Sequence, residues 1–176
     1  MSTIDARIFE WIVTHRVAWL DGALLALSAV SRGGMLWLAV GAVLAIARRL
    51  DLRALLQLAL AILLATIVAD HVLKPLVARE RPFDALPNVN VIGDRPKDSS
   101  LPSGHTANAF AGAMVLSHAV PAASVAWFGV ACGVAFSRVY LGVHYPLDVC
   151  AGALVGAVCG IVSVLALSAS IRIRGS

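Results

Sequence analysis

Three short polar clusters interrupt an otherwise apolar chain. Lys74 with Arg81-Pro82 forms the first, Pro102-Ser103-Gly104-His105 the second, and Ser137-Arg138 with His144 and Asp148 the third. Lys74, Arg81 and Arg138 supply three positive charges, and arginine forks suit phosphate oxygens bidentately while lysine acts as a point charge. Ser103 and Gly104 stand where a helix begins, and the free N–H groups of a first turn favour an anion. Ser103 is a natural N-cap whose hydroxyl is equally able to donate to a ligand oxygen. His144 and Asp148 are four residues apart, so the carboxylate reaches the imidazole across one helical turn. A carboxylate partner fixes the tautomer and leaves the other ring nitrogen free to attack. His105, at the start of a different helix, is then the general acid for a leaving oxygen. Together these residues describe phosphoryl transfer through a phosphohistidine, with cationic side chains stabilising the transferred group. Glu80, Asp84, Asp94 and Asp98 show no metal-ligand spacing, so the reading calls for no metal and no cofactor.

The elements that must position these groups are membrane helices. Of 176 residues, 60% are hydrophobic and 14% charged, against about 25% charged in soluble domains. Mean hydropathy is +0.87. Residues 102–136 and 149–171 contain no Asp, Glu, Lys or Arg. Such a chain excludes a disordered tail, a secreted disulfide scaffold and a nucleic-acid-binding module. The bilayer is its solvent, since roughly 20 apolar residues span a ~30 Å core. Cys132, Cys150 and Cys159 are odd in number and lie in apolar stretches, as small buried hydrophobes do. The expected fold is all-α: a single domain over 1–176, with an amphipathic interfacial helix over 1–16 and a six-helix integral membrane bundle over 17–170. A long loop over 78–101 joins the third and fourth spans. The spans fall at about 17–31, 34–49, 52–76, 104–119, 122–141 and 146–170; the first is short and carries Asp21, so five is the alternative count. The three polar clusters lie at span ends that face one side, whatever the first span does.

Orientation rests on loop charges. With six spans, Arg7, Arg16, Arg48, Arg49, Arg53, Arg172 and Arg174 fall on one side, and Arg32, Lys74, Arg79, Arg81, Arg95, Lys97 and Arg138 on the other, seven against seven. The second set is mixed with acids and partly engaged in the clusters. That places both termini in the cytoplasm and the long loop and clusters outside, in an inner (plasma) membrane.

Six residues separate Lys74 from Arg81-Pro82, five separate Arg138 from His144, and three separate His144 from Asp148. With Pro102-Ser103-Gly104-His105 between them, these clusters resemble the complete three-part signature of the type-2 phosphatidic acid phosphatase superfamily. The resemblance covers residues 74–148 directly. It implies metal-free hydrolysis of a lipid phosphate or pyrophosphate ester, with Lys74, Arg81, Ser103, Gly104 and Arg138 binding phosphate, His144 as nucleophile, Asp148 as its partner and His105 as acid. The partner it implies is a lipid phosphate in the bilayer: undecaprenyl pyrophosphate first, then phosphatidylglycerophosphate, phosphatidic acid or a polyprenyl sugar phosphate. Two other readings stand beside it: a lipid phosphotransferase with an alcohol acceptor, and a non-enzymatic lipid-binding membrane protein.

The remaining polar residues read as structural. Asp70 pairs with Lys74, Arg79 is a solvated loop charge, Asn108 bonds between helices, and His71 and His118 have no partner motif. Trp11, Trp19, Trp37 and Trp127 are interface anchors. Gly152, Gly156 and Gly160 form a small-residue face for packing within the bundle. The assignment of sides has a direct readout. With the three native cysteines removed, Asn90→Cys should react with an impermeant thiol reagent in intact cells and Asp51→Cys should not; the reverse pattern would put the clusters on the cytoplasmic side.

Overall fold

The computed structural model describes residues 3–172, and side chains from residue 4 to 168; Arg174 lies outside that range. Every regular element is a helix among the described residues: α1 (Thr3–Thr14), α2 (Ala18–Val30), α3 (Met35–Ile46), α4 (Leu52–Thr66), α5 (Lys74–Val77), α6 (Pro82–Ala85), α7 (Gly104–Ala119), α8 (Ser124–Tyr140) and α9 (Pro146–Arg172). The carboxylate of Asp51 caps α4 by accepting from the Ala54 N–H at 2.8 Å. α4 reaches α5 through a π-helical stretch, Ile67–Leu73, in which the Lys74 N–H donates to the carbonyl of Ala69, five residues back. Pro75 follows and has no N–H to offer the ordinary register.

α7 is the axis of the bundle, packed against α4, α8 and α9. Its approach to α9 depends on glycine. A Cβ on Gly152, Gly156 or Gly160 would lie 2.5 Å from the Ser103 carbonyl oxygen, 2.1 Å from that of Ala107 or 3.1 Å from that of Ala111. The small-residue face is therefore spent inside the bundle. Trp37 is buried over Gly112, where an interface anchor was expected, because the missing Cβ makes room for its indole.

The first two expected spans form a bent pair, α2–α3, that is long and apolar enough to cross only when taken together. α2 begins at the end that carries the polar clusters: Arg16 donates to the carbonyl oxygens of Tyr140 and Asn90 at 2.7 and 2.6 Å. It packs on Leu141 and Tyr140, Leu27 approaches Gly133, and Arg32 just after its end pairs with Asp94 of the long loop at 2.9 Å. The chain then bends by 53° into α3. Gly33 and Gly34 take φ values of 57° and 78° there, which glycine adopts freely. α3 continues along α4, with Gly41 against Leu58, to Arg48 at the opposite end. By length and apolar composition three helices suffice to cross a membrane, Leu52–Ala85, Pro121–Tyr140 and Pro146–Ser168, and the bent α2–α3 pair makes a fourth. α7 has 16 residues and runs between the same two ends, enclosed by its neighbours.

Against the six spans expected, three helices are long and apolar enough to cross a membrane, or four with the bent pair taken as one. α1 and the start of α9 lie at the cluster end, and the last described turns of α9 at the opposite end. α1 is fixed at the cluster end, where Asp5 accepts from the Leu147 N–H at 2.9 Å and Phe9 packs edge-on against Tyr145 with centroids 5.4 Å apart. Ile4, Ile8 and Trp11 on α1 are exposed.

The glycine contact is testable. Gly156→Ala should destabilise the protein by about 1–3 kcal/mol, as overpacking does, because the methyl meets backbone. Gly129→Ala, with nothing within 4 Å of the new Cβ, should be neutral or stabilising. Thermal unfolding in detergent compares them; equal stability of the two variants would contradict the packing.

Candidate active site

The polar clusters close around a cavity of about 210 Å³ lined by Lys74, Arg81, Gly104, His105, Arg138 and His144. Ser103 and Asp148 stand directly behind the lining, both without solvent exposure. All eight residues expected from the sequence thus converge on one place.

His144 lies between α8 and α9. Its Nδ1 is 3.5 Å from Asp148 Oδ2 and has no hydrogen-bond partner, while Nε2 is 3.3 Å from Arg81 Nη1. The Nδ1 contact is long for a hydrogen bond, as catalytic contacts in ligand-free sites often are. Burial, against the opposing pull of Asp148, pushes the imidazole down to about 4, so the ring is neutral and its lone pair available near neutral pH. Asp148 is held from three directions. It accepts from Ser100 Oγ, from the Tyr145 N–H at 2.8 Å and from Arg79 Nη1 at 2.6 Å.

Arg79 is a correction to the solvated loop charge. Its guanidinium bridges Asp148 and Asp5, the latter at 2.5 Å, and lies over the Tyr145 ring at 4.2 Å. The Arg-x-Arg-Pro run contained the signal, because a second arginine two residues before a signature arginine shares its surroundings. Asp5 had no such signal: only the docking of α1 brings it here.

Ser103 starts α7 from an extended conformation, and its Oγ accepts from Thr106 without capping the helix. The first-turn N–H groups of α7 thus have no side-chain cap. Gly104 must be glycine, since a Cβ would lie 2.4 Å from Asp70 Oδ1. Asp70 does pair with Lys74, at 2.5 Å, and Asn108 accepts from Thr66 across α4 and α7 at 3.1 Å. Arg138 donates to Ser28 on α2, and its Nε is buried without a partner. His105 makes no hydrogen bond with the described residues and borders a second cavity of about 460 Å³, lined by Leu25, Ala29, Ile92 and Leu141. Among the described residues, no group of three or more His, Cys, Asp or Glu side chains is placed to hold a metal ion.

Asp98 has a role that its sequence position did not reveal. Its carboxylate pairs with Lys74 and, at 2.8 Å, with Arg81 Nη2, while its carbonyl accepts from Arg81 Nε at 2.7 Å. Burial alone would raise the carboxyl; Lys74 and Arg81 outweigh it and hold the group at about 2. An anion thus sits on two of the three cations in the ligand-free protein.

The family model of the PAP2 superfamily matches residues 54–172. Undecaprenyl-diphosphatase of Sulfolobus acidocaldarius is 34% identical over 157 residues, covering 86% of this chain and 73% of that protein. Decaprenylphosphoryl-5-phosphoribose phosphatase of Mycobacterium tuberculosis is 34% identical over 157 residues, 88% of this chain and 75% of that one. Among solved structures, LpxE of Aquifex aeolicus superposes with a TM-score of 0.79 at 34% identity, covering 90% of this chain and 93% of its own. The phosphatidylglycerolphosphate phosphatase of Bacillus subtilis superposes with a TM-score of 0.66 at 28% identity, covering 92% and 83%.

The Asp98 pairing predicts that Asp98→Asn binds orthovanadate or inorganic phosphate more tightly, by roughly tenfold, the worth of one charge-assisted hydrogen bond. Isothermal titration would show it. Weaker binding by the variant would mean that Asp98 holds the cations in position instead of competing for them.

Proposed function

The chain belongs to the PAP2 superfamily and is a membrane hydrolase of lipid phosphates; from that premise we propose how the site works. His144 Nε2 attacks the terminal phosphorus, the bond from that phosphorus to the leaving oxygen (the bridging oxygen of a diphosphate, the lipid oxygen of a monoester) breaks, and His105 donates a proton to that oxygen. Water then attacks the phosphohistidine, His105 accepts the proton, and inorganic phosphate leaves with His144 neutral again. Lys74, Arg81, Arg138 and the first-turn N–H groups of α7 bind the phosphate oxygens and stabilise their charge in the transition state. Asp148 orients His144 and stabilises the imidazolium character that develops. The observation that carries this reading is the buried His144, backed by Asp148 and presenting Nε2 to a cavity lined with cations. No step requires a metal or cofactor.

The leaving group is an amphiphile. The second cavity that His105 borders has Arg32, Asp94 and Arg138 in its wall beside Leu25, Ala29, Ile92 and Leu141, and this apolar part suits the lipid portion of the leaving group. Undecaprenyl diphosphate is the favoured substrate, because relatives on prenyl substrates match most of this chain; phosphatidylglycerophosphate follows.

The active site faces away from the cytoplasm. The site end carries nine basic residues (Arg7, Arg16, Arg32, Lys74, Arg79, Arg81, Arg95, Lys97 and Arg138) and nine acidic ones. At the other end Arg48, Arg49, Arg53 and Arg172 face Asp51 alone. The uncompensated basic end belongs in the cytoplasm of a cell with an inner membrane, and α1 lies on the outer interface with Ile4, Ile8 and Trp11 toward lipid.

Turnover should survive chelator and be inhibited by orthovanadate. His105→Ala should lose about 10²–10⁴ in turnover on an alkyl phosphate, the usual worth of general acid catalysis, and much less on an aryl phosphate, whose leaving oxygen needs less help. Loss of activity in chelator with recovery in magnesium, or an equal His105→Ala defect on both substrates, would contradict the mechanism. A product that appears only with added alcohol would make the enzyme a phosphotransferase.

A further inference from the structure

A second basic site lies at the end of the bundle opposite the active site. The turn between α3 and α4 carries Arg48 and Arg49, and the first turn of α4 carries Arg53. With Gln57 and His118 they line a cavity of about 560 Å³. None of the three guanidinium groups has a hydrogen-bond or ion-pair partner among the described residues, and Arg53 Nε is buried without one. The acid in the cavity wall, Asp51, is engaged in capping α4. At the site end six of the nine basic residues, Arg16, Arg32, Lys74, Arg79, Arg81 and Arg138, have hydrogen-bond or ion-pair partners. A buried, unpaired guanidinium N–H is costly, and three like charges around one cavity repel. An anion would relieve both.

The surroundings say which anion. The cavity lies at the end of the bundle, at the start of α4, where the helix dipole also favours negative charge. Ile46 and Leu52 beside it are 83% and 71% exposed, an apolar border that suits acyl chains. We propose that this cavity binds the phosphodiester headgroup of an anionic phospholipid in the leaflet opposite the active site, with Arg48, Arg49 and Arg53 contacting the phosphate. Basic pockets between helices recognise headgroups in this way, each arginine contributing on the order of 1 kcal/mol, or about fivefold in affinity. The site is separate from the catalytic cavity and does not depend on the reading of its mechanism.

The test uses the full chain in a neutral detergent and thermal unfolding titrated with phosphatidylglycerol, with phosphatidylcholine of the same chains, and with inorganic phosphate. Phosphatidylglycerol should stabilise saturably, phosphatidylcholine should not at equal concentration, any stabilisation by inorganic phosphate through the catalytic site should be the same in wild type and variant, and Arg49→Gln combined with Arg53→Gln should weaken the apparent Kd for phosphatidylglycerol by about 25-fold. Lys97→Gln, a basic loop residue at the other end, should leave that Kd unchanged. Turnover of the double variant on a soluble aryl phosphate should equal that of the wild type, which separates this site from the active one. Should the double variant fail to fold, Arg49→Gln alone, at an exposed turn position, should show about a fivefold loss. Equal stabilisation by phosphatidylcholine, stabilisation by inorganic phosphate that is lost in the double variant, or an unchanged Kd for phosphatidylglycerol in the variants would each overturn the assignment.

Discussion

Cations that must hold a phosphate at the edge of a bilayer must first be held there without one, and that constraint organises this protein. An unpaired charge in such surroundings is costly, and like charges brought together add to the cost. Carboxylates meet it. Asp70 and Asp98 share Lys74, Asp98 also takes Arg81, and Asp5 and Asp148 share Arg79. Asp70 pairs with Lys74 along one helix, while the others tie separate parts of the chain: Asp98 joins the long loop to the end of α4–α5, and Arg79 joins α1 to the start of α9. The ion pairs that make the empty site tolerable are also its tertiary structure.

Close helix packing sets the depth of the site. Because α9 presents glycine to the carbonyls of α7, the backbones approach until the Ser103 N–H donates to the Asp148 carbonyl at 3.0 Å. The phosphate-binding start of α7 and the histidine–carboxylate pair of α9 are therefore registered by backbone rather than by flexible side chains, as a preorganised transition-state site requires. Gly104 extends the same logic to α4, since its missing Cβ admits the Asp70 carboxylate that holds Lys74.

The site was legible in the sequence because its chemistry is carried by residue types that an apolar helix end does not otherwise tolerate. The helices were legible too, from their uncharged runs. The bend was not: hydropathy sees two apolar stretches around Ser31-Arg32-Gly33-Gly34, and the fold joins them as one pair bent by 53°, with Arg16 at its start anchored on Tyr140 and Asn90. Arg79, Asp5 and Asp98 were missed for a related reason. Charge in a loop or on a short amphipathic helix reads as solvated until the fold shows what it faces, and their partners are up to 142 residues away along the chain.

Everything in the catalytic account turns on a bond between phosphorus and His144 Nε2. Rapid mixing of enzyme with a lipid diphosphate labelled at the terminal phosphate, followed by an alkaline quench that preserves phosphohistidine, tests for it directly. The account predicts label on His144 in the wild type and in His105→Ala, where loss of the acid–base group slows release, and no label in His144→Ala. Label that persists in His144→Ala, or that maps to His105, would contradict it.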